Sequence, residues 1–326
     1  MSELRTQARF PSVAQRKGHY ESFYLRAFDP ASPRGVWIRY TVHKRPGAEP
    51  SGSLWFTLFD RAADGPAAYK VTLDDVGAEG GEYIHVGASR LGAGSAAGSA
   101  DGHEWELRFD SGEEAFHHLP RGWMYRAPVP RTKLLSPYPN ARFDGWVAAG
   151  ADRIDVSGWP GMVGHNWGSE HAERWIWMHA SGFEGHEGVW LDAALGRIKL
   201  GPVTTPWIAN AVLSLDGERH RLGGPERARA TEVTETPTGC EFTLPGKGMT
   251  VRGSTGAERK DFVGWVYADP DGGEHNTVNC SIARMELTVE RDGRPPLGLT
   301  TDHGAAYELG MREKDHGMPI QPFPDG

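Results

Sequence analysis

Residues 164–179, GHNWGSEHAERWIWMH, hold a dense set of side chains that could do chemistry: three histidines, three tryptophans and two glutamates. Imidazole and carboxylate groups bind metal ions or carry protons, and tryptophan rings fill cores or line ligand pockets. A zinc site favours His-x-His or His-Glu-x-x-His spacing, whereas His165, His171 and His179 are six and eight residues apart. The spacing therefore predicts no metal site. A packed core and a pocket wall remain as alternatives.

A strand interpretation of RWIWMHA sorts this stretch into two faces. With a period of two, Trp175, Trp177 and His179 share one face, and Ile176 and Met178 share the other. The second face is typical of a core. The tryptophan face carries N–H groups and a titratable ring, which need polar partners when they are buried. That face fits either a core of large residues or a pocket wall, and the polar residues that directly precede it favour the wall.

A carboxylate lies on a similar stretch, GVWLDAALG. Alternation places Trp190 and Asp192 on one face, and the apolar Val189, Leu191 and Ala193 on the other. An aspartate held among apolar side chains has a raised pKa and can act as a general acid. The same pattern also fits a solvent-facing aspartate on an amphipathic strand, and alternation alone does not separate the two.

The elements that must position these residues are short strands. Runs of β-branched and aromatic residues alternate along the chain, as in GVWIRYTVHK (35–44) and SLWFTLFD (53–60), and turn sequences such as EGGE and DPDGGE separate them. The 3.6-residue period of a crossover helix is not found, which argues against an α/β fold. The pattern predicts an all-β fold of antiparallel barrels or sandwiches.

Two connectors interrupt the strands. Residues 88–103 are small and flexible, and residues 119–140 are rich in proline, which excludes them from a central strand. The second connector lies near the midpoint, so we place a domain boundary at about residue 150. The prediction is an N-terminal β-barrel domain over 1–150 and a C-terminal one over 151–326, which carries the His-Asn-Trp-Gly segment.

The charge and cysteine content argue against several classes of protein. The net charge is −8 and the basic residues are dispersed, so no nucleic acid is predicted as a partner. No apolar run approaches the roughly 18 residues that span a bilayer, and no apolar region of a secretory signal follows the N-terminus. Cys240 and Cys280 fit free thiols in a reducing cytoplasm better than a disulfide scaffold. The oligomeric state stays open.

Several segments resemble the carotenoid 1,2-hydratase (hydroxyneurosporene synthase) and AttH-like superfamily. The most specific is His-Asn-Trp-Gly at 165–168, which is also loosely similar to a segment of tocopherol cyclases; GHYESFYLRAFDP and SPYPNARFDGWV are further matches. The resemblance implies two tandem lipocalin-like barrels, a greasy unsaturated substrate and usually no cofactor. It also implies that His165 and Trp167 take part in the activity. The same holds for an aromatic-x-Asp pair of the family, which matches Trp190 and Asp192 here. The family usually has tyrosine at the first position of that pair, so this chain lacks its phenolic proton donor.

Two functions from different classes fit these features. The first is a cofactor-independent lyase or isomerase of the hydratase or cyclase type, which protonates a C=C of a hydrophobic terpenoid, carotenoid or polyketide-like molecule. The second is a non-catalytic, lipocalin-like carrier in which the tryptophans only hold a hydrophobic ligand. Glycan binding and a structural role are further alternatives.

The catalytic hypothesis assigns a role to each candidate residue. Asp192 is the expected proton donor, and His165 is expected to orient water or to relay the proton. Asn166 and Glu170 are expected to be structural. The candidate substrate-binding residues are Trp167, Trp175, Trp177, Trp190, His179 and Trp207. No metal and no cofactor are predicted.

Overall fold

The computed structural model describes residues 5–321, without the side chain of Leu200, and the regular secondary structure there is almost entirely antiparallel β-strand. This confirms the predicted all-β fold. The strands of the first sheet are β1 (His19–Phe28), β2 (Arg34–Lys44), β3 (Ser51–Asp60), β4 (Ala67–Leu73), β5 (Val76–Gly77), β6 (Glu82–Val86), β7 (Ser89–Gly92), β8 (Ser95–Ala100), β9 (His103–Asp110), β10 (Phe116–His117), β11 (Thr132–Ala149) and β12 (Asp152–Gly168).

A second sheet and a small hairpin follow. Their strands are β13 (Arg174–Phe183), β14 (His186–Arg197), the hairpin β15 (Lys199–Leu200) and β16 (Val203–Thr204), β17 (Ile208–Leu215), β18 (Glu218–Gly223), β19 (Glu232–Thr236), β20 (Gly239–Pro245), β21 (Met249–Gly256), β22 (Val263–Ala268), β23 (Glu274–Arg291) and β24 (Leu297–Met311). Short 3₁₀ helices cover Phe10–Ser12, Gly122–Tyr125, Pro225–Arg227 and Arg259–Asp261.

The first sheet has the order β4-β3-β2-β1-β12-β11-β9-β8-β7-β6-β5, with β10 beside β11. Strands β3 and β4 approach β6 and β8 across the interior, so the sheet curls into a nearly closed barrel. Val36, Ile38 and Tyr40 point into its apolar core, whereas Trp37 packs on the other side. The alternation predicted for this strand is confirmed.

The second sheet has the order β18-β17-β14-β13-β24-β23-β21-β20-β19, with β22 beside β23. A bridge between Leu222 and Gly246 brings its two ends together. Ile176 and Met178 of β13 and Leu191 of β14 lie in the core of this sheet. The core faces predicted for both strands are confirmed.

The chain passes from the first sheet to the second between Gly168 and Arg174 rather than near residue 150. Strand β12 pairs with β11 through a hairpin and with β1 along its other edge, where His165 lies opposite Phe23. The His-Asn-Trp-Gly segment thus belongs to the first sheet and not to the C-terminal one. The boundary is placed too early because the predicted connector 119–140 is wrong from Thr132 onward: β11 begins there, and it pairs with β12 and β9 within the first sheet.

The outer face of β1–β3 packs against the second sheet. Trp37, Trp55 and Phe59 of the first sheet join the apolar core of the second. Arg26 is fully buried at this interface, where it donates hydrogen bonds to His179 Nδ1 at 3.0 Å and to the carbonyl oxygen of Ser281 at 2.9 Å. Burial lowers the pKa of Arg26 to about 9. The outer face of the first sheet thus shares a buried interface with the second sheet, while the core of the first barrel stays separate.

Two further sequence predictions bear on the fold. Cys240 and Cys280 are both buried free thiols, as expected. Within residues 5–321, no helix combines the length and the apolar character that crossing a membrane requires.

Candidate functional site

A cavity of about 690 Å³ lies between the two sheets. Its walls come from the outer face of β1 and β2, the segment 118–134, the connector 170–173, and strands β13, β14, β17, β22 and β24. This volume falls in the range of small-molecule sites, and aromatic side chains line much of it. A second depression of about 720 Å³ borders β20 and β21, but threonine and charged residues dominate its lining. The first cavity is therefore the candidate site for an apolar ligand.

Tryptophans of β13 form one wall of this cavity. Trp175 and Trp177 both line it, and the Trp177 ring meets Tyr24 edge-on at 5.3 Å between centroids. Gly310 makes room for Trp175, because a Cβ at this position would lie 2.1 Å from the indole ring. Gly164 similarly accommodates Tyr24, whose ring would lie 2.2 Å from an added Cβ. The aromatic wall depends on small residues on the neighbouring strands.

His171, in the connector between the sheets, forms a hydrogen-bonded pair with Asp269. Asp269 Oδ1 accepts hydrogen bonds from the backbone N–H of His171 and from its ring Nδ1, both at 2.7 Å. Burial alone would raise the pKa of Asp269, but the hydrogen bonds and charge of His171 hold it below its ordinary value. The His171 ring stacks on Tyr20 at 3.9 Å and lines the cavity. Its buried Nε2 has no hydrogen-bond partner among the described residues.

A second carboxyl group, that of Glu308 on β24, also lines the cavity. It accepts hydrogen bonds from Trp175 Nε1 at 3.0 Å, from Tyr267 Oη at 3.2 Å and from Asn279 Nδ2 at 3.1 Å. Three donors from three strands fix its position. Because the side chain is only 9% exposed, its charge would act at short range on anything bound in the cavity.

Arg39 and Asn166 add polar atoms to the opposite wall. Arg39 Nε donates to Ser22 Oγ at 2.6 Å, and its guanidinium lies over the Tyr267 ring at 4.0 Å. Arg39 Nη1 and Asn166 Oδ1 are buried and have no hydrogen-bond partner in the described part of the chain. Both side chains line the cavity, so they are polar groups of this wall that a ligand could meet.

His171, Asp269 and His275 also bring donor atoms within 4.8 Å of one another, which is close enough to hold a metal ion. Asp269 Oδ2 lies 3.7 Å from His275 Nδ1 and 3.9 Å from Arg312 Nη2. A guanidinium this close opposes a second cation. The arrangement fits an acid–base pair better than a metal centre.

Among the residues predicted from the sequence, Trp175 and Trp177 line the cavity and Asp192 does not. Asp192 is fully buried elsewhere between the sheets, where it accepts a hydrogen bond from Ser136 Oγ at 2.5 Å and lies 3.3 Å from His118 Nε2. Burial alone would raise the pKa of Asp192, but His118, His179 and Ser136 hold it below its ordinary value. The raised pKa that we expected for a general acid is contradicted, because the apolar surroundings include these polar partners.

His165 and Trp167 face the interior of the first barrel. His165 Nε2 donates to Glu21 Oε1 and its Nδ1 accepts from Thr6 Oγ1, both at 2.7 Å. Burial lowers the pKa of His165. Burial would raise the pKa of Glu21, but the bonds from His165 and His19 lower it to about 2. Alternation on β12 sends Asn166, between the two, to the cavity instead, so the residue expected to be structural is the one that lines it.

The other candidates lie outside the cavity lining. Trp190 is fully buried against Phe116, and Trp207 packs in the core of the second sheet. His179 accepts a hydrogen bond from Arg26 and donates one to the carbonyl oxygen of Pro139. These side chains hold the sheets together or fill a core.

The sequence interpretation assigned no catalytic role to His171, Asp269 or Glu308. Asp269 is 98 residues from His171, so no local spacing could join them. The sequence around Glu308 does contain a recognisable pattern. In AAYELGM, Glu308 shares a strand face with the small residues Ala306 and Gly310. A lone carboxylate among small residues indicates a face that packs against large side chains from elsewhere.

No family model matches the chain. Two sequences of Mycobacterium tuberculosis are similar to it, uncharacterized protein MT0513 of strain CDC 1551 / Oshkosh and uncharacterized protein Rv0493c of strain ATCC 25618 / H37Rv. Each is 24% identical over 314 residues, which is 95% of this chain and 91% of the relative. The likeness thus extends over both sheets.

Three solved structures share the fold. They are an AttH-like protein, NE1406, of Nitrosomonas europaea (TM-score 0.58, 12% identity, 94% of this chain and 97% of that one), kievitone hydratase of Nectria haematococca (0.57, 11%, 90% and 89%) and CghA with Sch210972 (0.58, 13%, 90% and 88%). They support the predicted lipocalin-like, all-β architecture over nearly the whole chain.

Proposed function

We propose that this chain is a hydratase- or cyclase-type lyase or isomerase, which protonates a C=C of a hydrophobic unsaturated small molecule bound between the sheets. The observation that carries the proposal is the His171–Asp269 pair in the wall of an aromatic cavity. One ring nitrogen is held by a carboxylate, and the other has no hydrogen-bond partner within residues 5–321. The name of one structural neighbour, kievitone hydratase, is consistent with this class of reaction.

His171 is the proton carrier in this proposal. Its Nδ1–H bonds to ionised Asp269, which orients the ring and stabilises the imidazolium form. The imidazolium Nε2–H gives its proton to one carbon of the double bond, and the C=C π electrons form the new C–H bond. The other carbon becomes a cation. Water or an internal nucleophile then adds to that carbon, and the proton released returns to Nε2.

The walls of the cavity suit a developing cation. The rings of Trp175, Trp177 and Tyr20 can stabilise a positive charge through their π faces, by about 0.5–2 kcal/mol each when water is excluded. Glu308 contributes a carboxyl group fixed by three donors. Burial raises the pKa of both Tyr20 and Tyr24, so these phenols remain protonated and do not add negative charge.

Arg39 and Asn166 orient the substrate. The unpaired Arg39 Nη1 can donate to an oxygen of the ligand, and Asn166 Oδ1 can accept from a hydroxyl group. The substrate class is therefore an apolar unsaturated molecule with at least one oxygen-bearing end. The polar end is anchored by β2 and β12, and the double bond lies toward the connector and β13.

A non-catalytic carrier is the alternative function, and the cavity alone would serve it equally well. A carrier does not need an imidazole that a carboxylate orients in the wall of its cavity, whereas a proton carrier does. The His171–Asp269 pair therefore favours catalysis over carriage.

The test starts from kievitone and a panel of prenylated phenols and polyenes, with mass spectrometry to detect the gain of one water or an isomeric product. His171→Phe keeps a ring between Tyr20 and Trp175 but cannot carry a proton. We expect it to bind the active compound, by quenching of tryptophan fluorescence, and to lose about 10²–10⁴-fold in turnover. His165→Gln is the matched control and is expected to keep its turnover once folded.

Three results would contradict the proposal. Undiminished turnover by His171→Phe would exclude His171 as the proton carrier. Turnover that a chelator abolishes and a metal ion restores would replace the acid–base pair with a metal centre. Tight binding of panel members with no conversion of any would favour the carrier.

A further inference from the structure

The rim of the cavity exposes apolar side chains. Five large hydrophobic side chains are exposed among residues 5–321. Three of them lie on two segments that border the cavity: Trp123 is 60% exposed, Val129 54% and Val203 63%. Trp123 and Val129 belong to the lining itself, and Val203 lies on the β15–β16 hairpin, whose first residue, Lys199, also lines the cavity. The exposed apolar surface is thus concentrated at the opening.

The same two segments are basic. Residues 119–131 contain three arginines and no acidic residue, and residues 198–204 contain Lys199 and no acidic residue, although the whole chain has a net charge of −8. Arg121 and Arg126 are exposed on either side of the 3₁₀ helix Gly122–Tyr125 that carries Trp123. Arg131 is also exposed, and it forms an ion pair with Glu170. The rim therefore carries positive charge against an acidic background.

We propose that this rim, defined as residues 119–131 and 198–204, docks on the surface of an anionic lipid bilayer. An exposed tryptophan flanked by arginines is the composition of segments that lie in the headgroup region, where the ring is buried and the cations face lipid phosphates. The exposed apolar side chains lie on two separate segments and not on one continuous apolar face, which suits insertion between lipids better than a protein interface with an apolar centre. The cavity then opens toward the membrane.

This inference goes beyond the proposed function. A bilayer is where hydrophobic unsaturated molecules accumulate, and an opening at its surface lets a ligand enter without crossing water. Binding to lipid is measured without substrate, so its failure would leave the proposed reaction untouched. Loss of the reaction would equally leave the docking surface untouched.

The experiment is cosedimentation with vesicles of phosphatidylcholine and phosphatidylglycerol in equal parts, compared with phosphatidylcholine alone. We expect the full chain to bind the anionic vesicles more tightly, with an affinity that falls as salt is added. The variant Trp123→Ser, Val129→Ser, Val203→Ser should bind about tenfold more weakly or worse. Arg121→Gln and Arg126→Gln should each weaken binding by about fivefold.

The matched control is Leu73→Ser with Ile320→Ser, which removes the other two exposed large hydrophobic side chains, 37% and 38% exposed. It is expected to bind as the unchanged chain does. No binding of the unchanged chain to anionic vesicles overturns the proposal, even if the rim captures a protein instead. An equal loss in the control variant overturns it as well, as does equal binding to both vesicle compositions. Circular dichroism of each variant confirms that it is folded.

Discussion

Two histidines six residues apart end in opposite situations. His165 lies inside the first barrel with both ring nitrogens hydrogen-bonded, one to Glu21 and one to Thr6. His171 lies beside the cavity with one nitrogen on Asp269 and the other without a partner in the described chain. Each has a carboxylate neighbour and an aromatic ring stacked on it. The residue type and the kinds of side chain in contact with it are thus nearly the same at the two positions.

The completeness of the hydrogen bonding is what separates them. In the cluster around His165, Glu21 also accepts the backbone N–H groups of Arg9 and Phe10, so it fixes the N-terminal segment against the barrel. Both ring nitrogens of His165 are therefore bonded within the protein, and neither is left for a ligand. Around His171, three other residues that line the same cavity, Arg39, Asn166 and Trp177, have buried polar atoms with no partner among the described residues. A closed network stabilises a fold, and an incomplete one beside a cavity is available to a ligand.

The largest expected effect on stability tests the closed cluster. Glu21→Ala leaves His165 and two backbone donors without their acceptor, so we expect the free energy of unfolding to fall by about 3–5 kcal/mol. Urea denaturation measures it. His171→Phe keeps the stacked ring and leaves the backbone N–H of His171 on Asp269, but it removes the ring's hydrogen bond to that carboxylate, so we expect a smaller loss of about 1.5–3 kcal/mol. If the two losses were equal, the distinction between closed and open clusters would fail.

The next effect sharpens the cavity side of the comparison. Gly310→Ala places a Cβ against Trp175 and should cost about 1–3 kcal/mol of stability, while the displaced ring narrows the cavity and weakens ligand binding. Gly298→Ala, on the same strand, meets nothing within 4 Å and serves as the control. Thermal unfolding and tryptophan quenching by a bound polyene measure the two changes. Equal behaviour of both variants would show that the wall adapts freely.

The smallest effect concerns the polar contact that joins the sheets. Burial and the neighbouring Arg26 lower the pKa of His179 to about 4, from an ordinary 6.5. The unfolded chain therefore binds the proton first, and the stability held above about pH 6.5 is lost as the pH falls toward about 4. We expect about 1 kcal/mol of this loss between about pH 7 and about pH 5.5. Urea denaturation should show that His179→Gln lacks this contribution; an unchanged pH dependence would exclude it.

The sequence predicts strand faces well, because side-chain alternation is a local property of extended backbone. Alternation predicts which side chains share a face on β2, β13 and β14. It also predicts that Trp175 and Trp177 lie on the same face. What each face meets is decided by sheet pairing, which alternation does not encode. Alternation places Trp190 and Asp192 on one face, but Phe116, Ser136 and His118 cover them, so neither side chain itself lines the cavity.

The catalytic candidates were harder to predict for two physical reasons. His165 and Asn166 are adjacent on one strand, so they necessarily point to opposite sides, and the sequence does not show which side is the ligand's. The partner of His171 lies 98 residues away on a turn after β22. Only the meeting of the two sheets brings Asp269 to the connector.

Arg26 has a consequence for any attempt to divide the chain. Its guanidinium belongs to the first sheet by sequence, but its acceptors, His179, Ser281 and Gly304, all belong to the second. A fragment that ends before Arg174 would expose Arg26, Trp37 and Trp55, which are buried in the whole chain. The other fragment would leave the carbonyl oxygens of Ser281 and Gly304 without the guanidinium that donates to them. We expect each fragment to aggregate when it is expressed alone, and the two fragments to associate and stay in solution when they are expressed together.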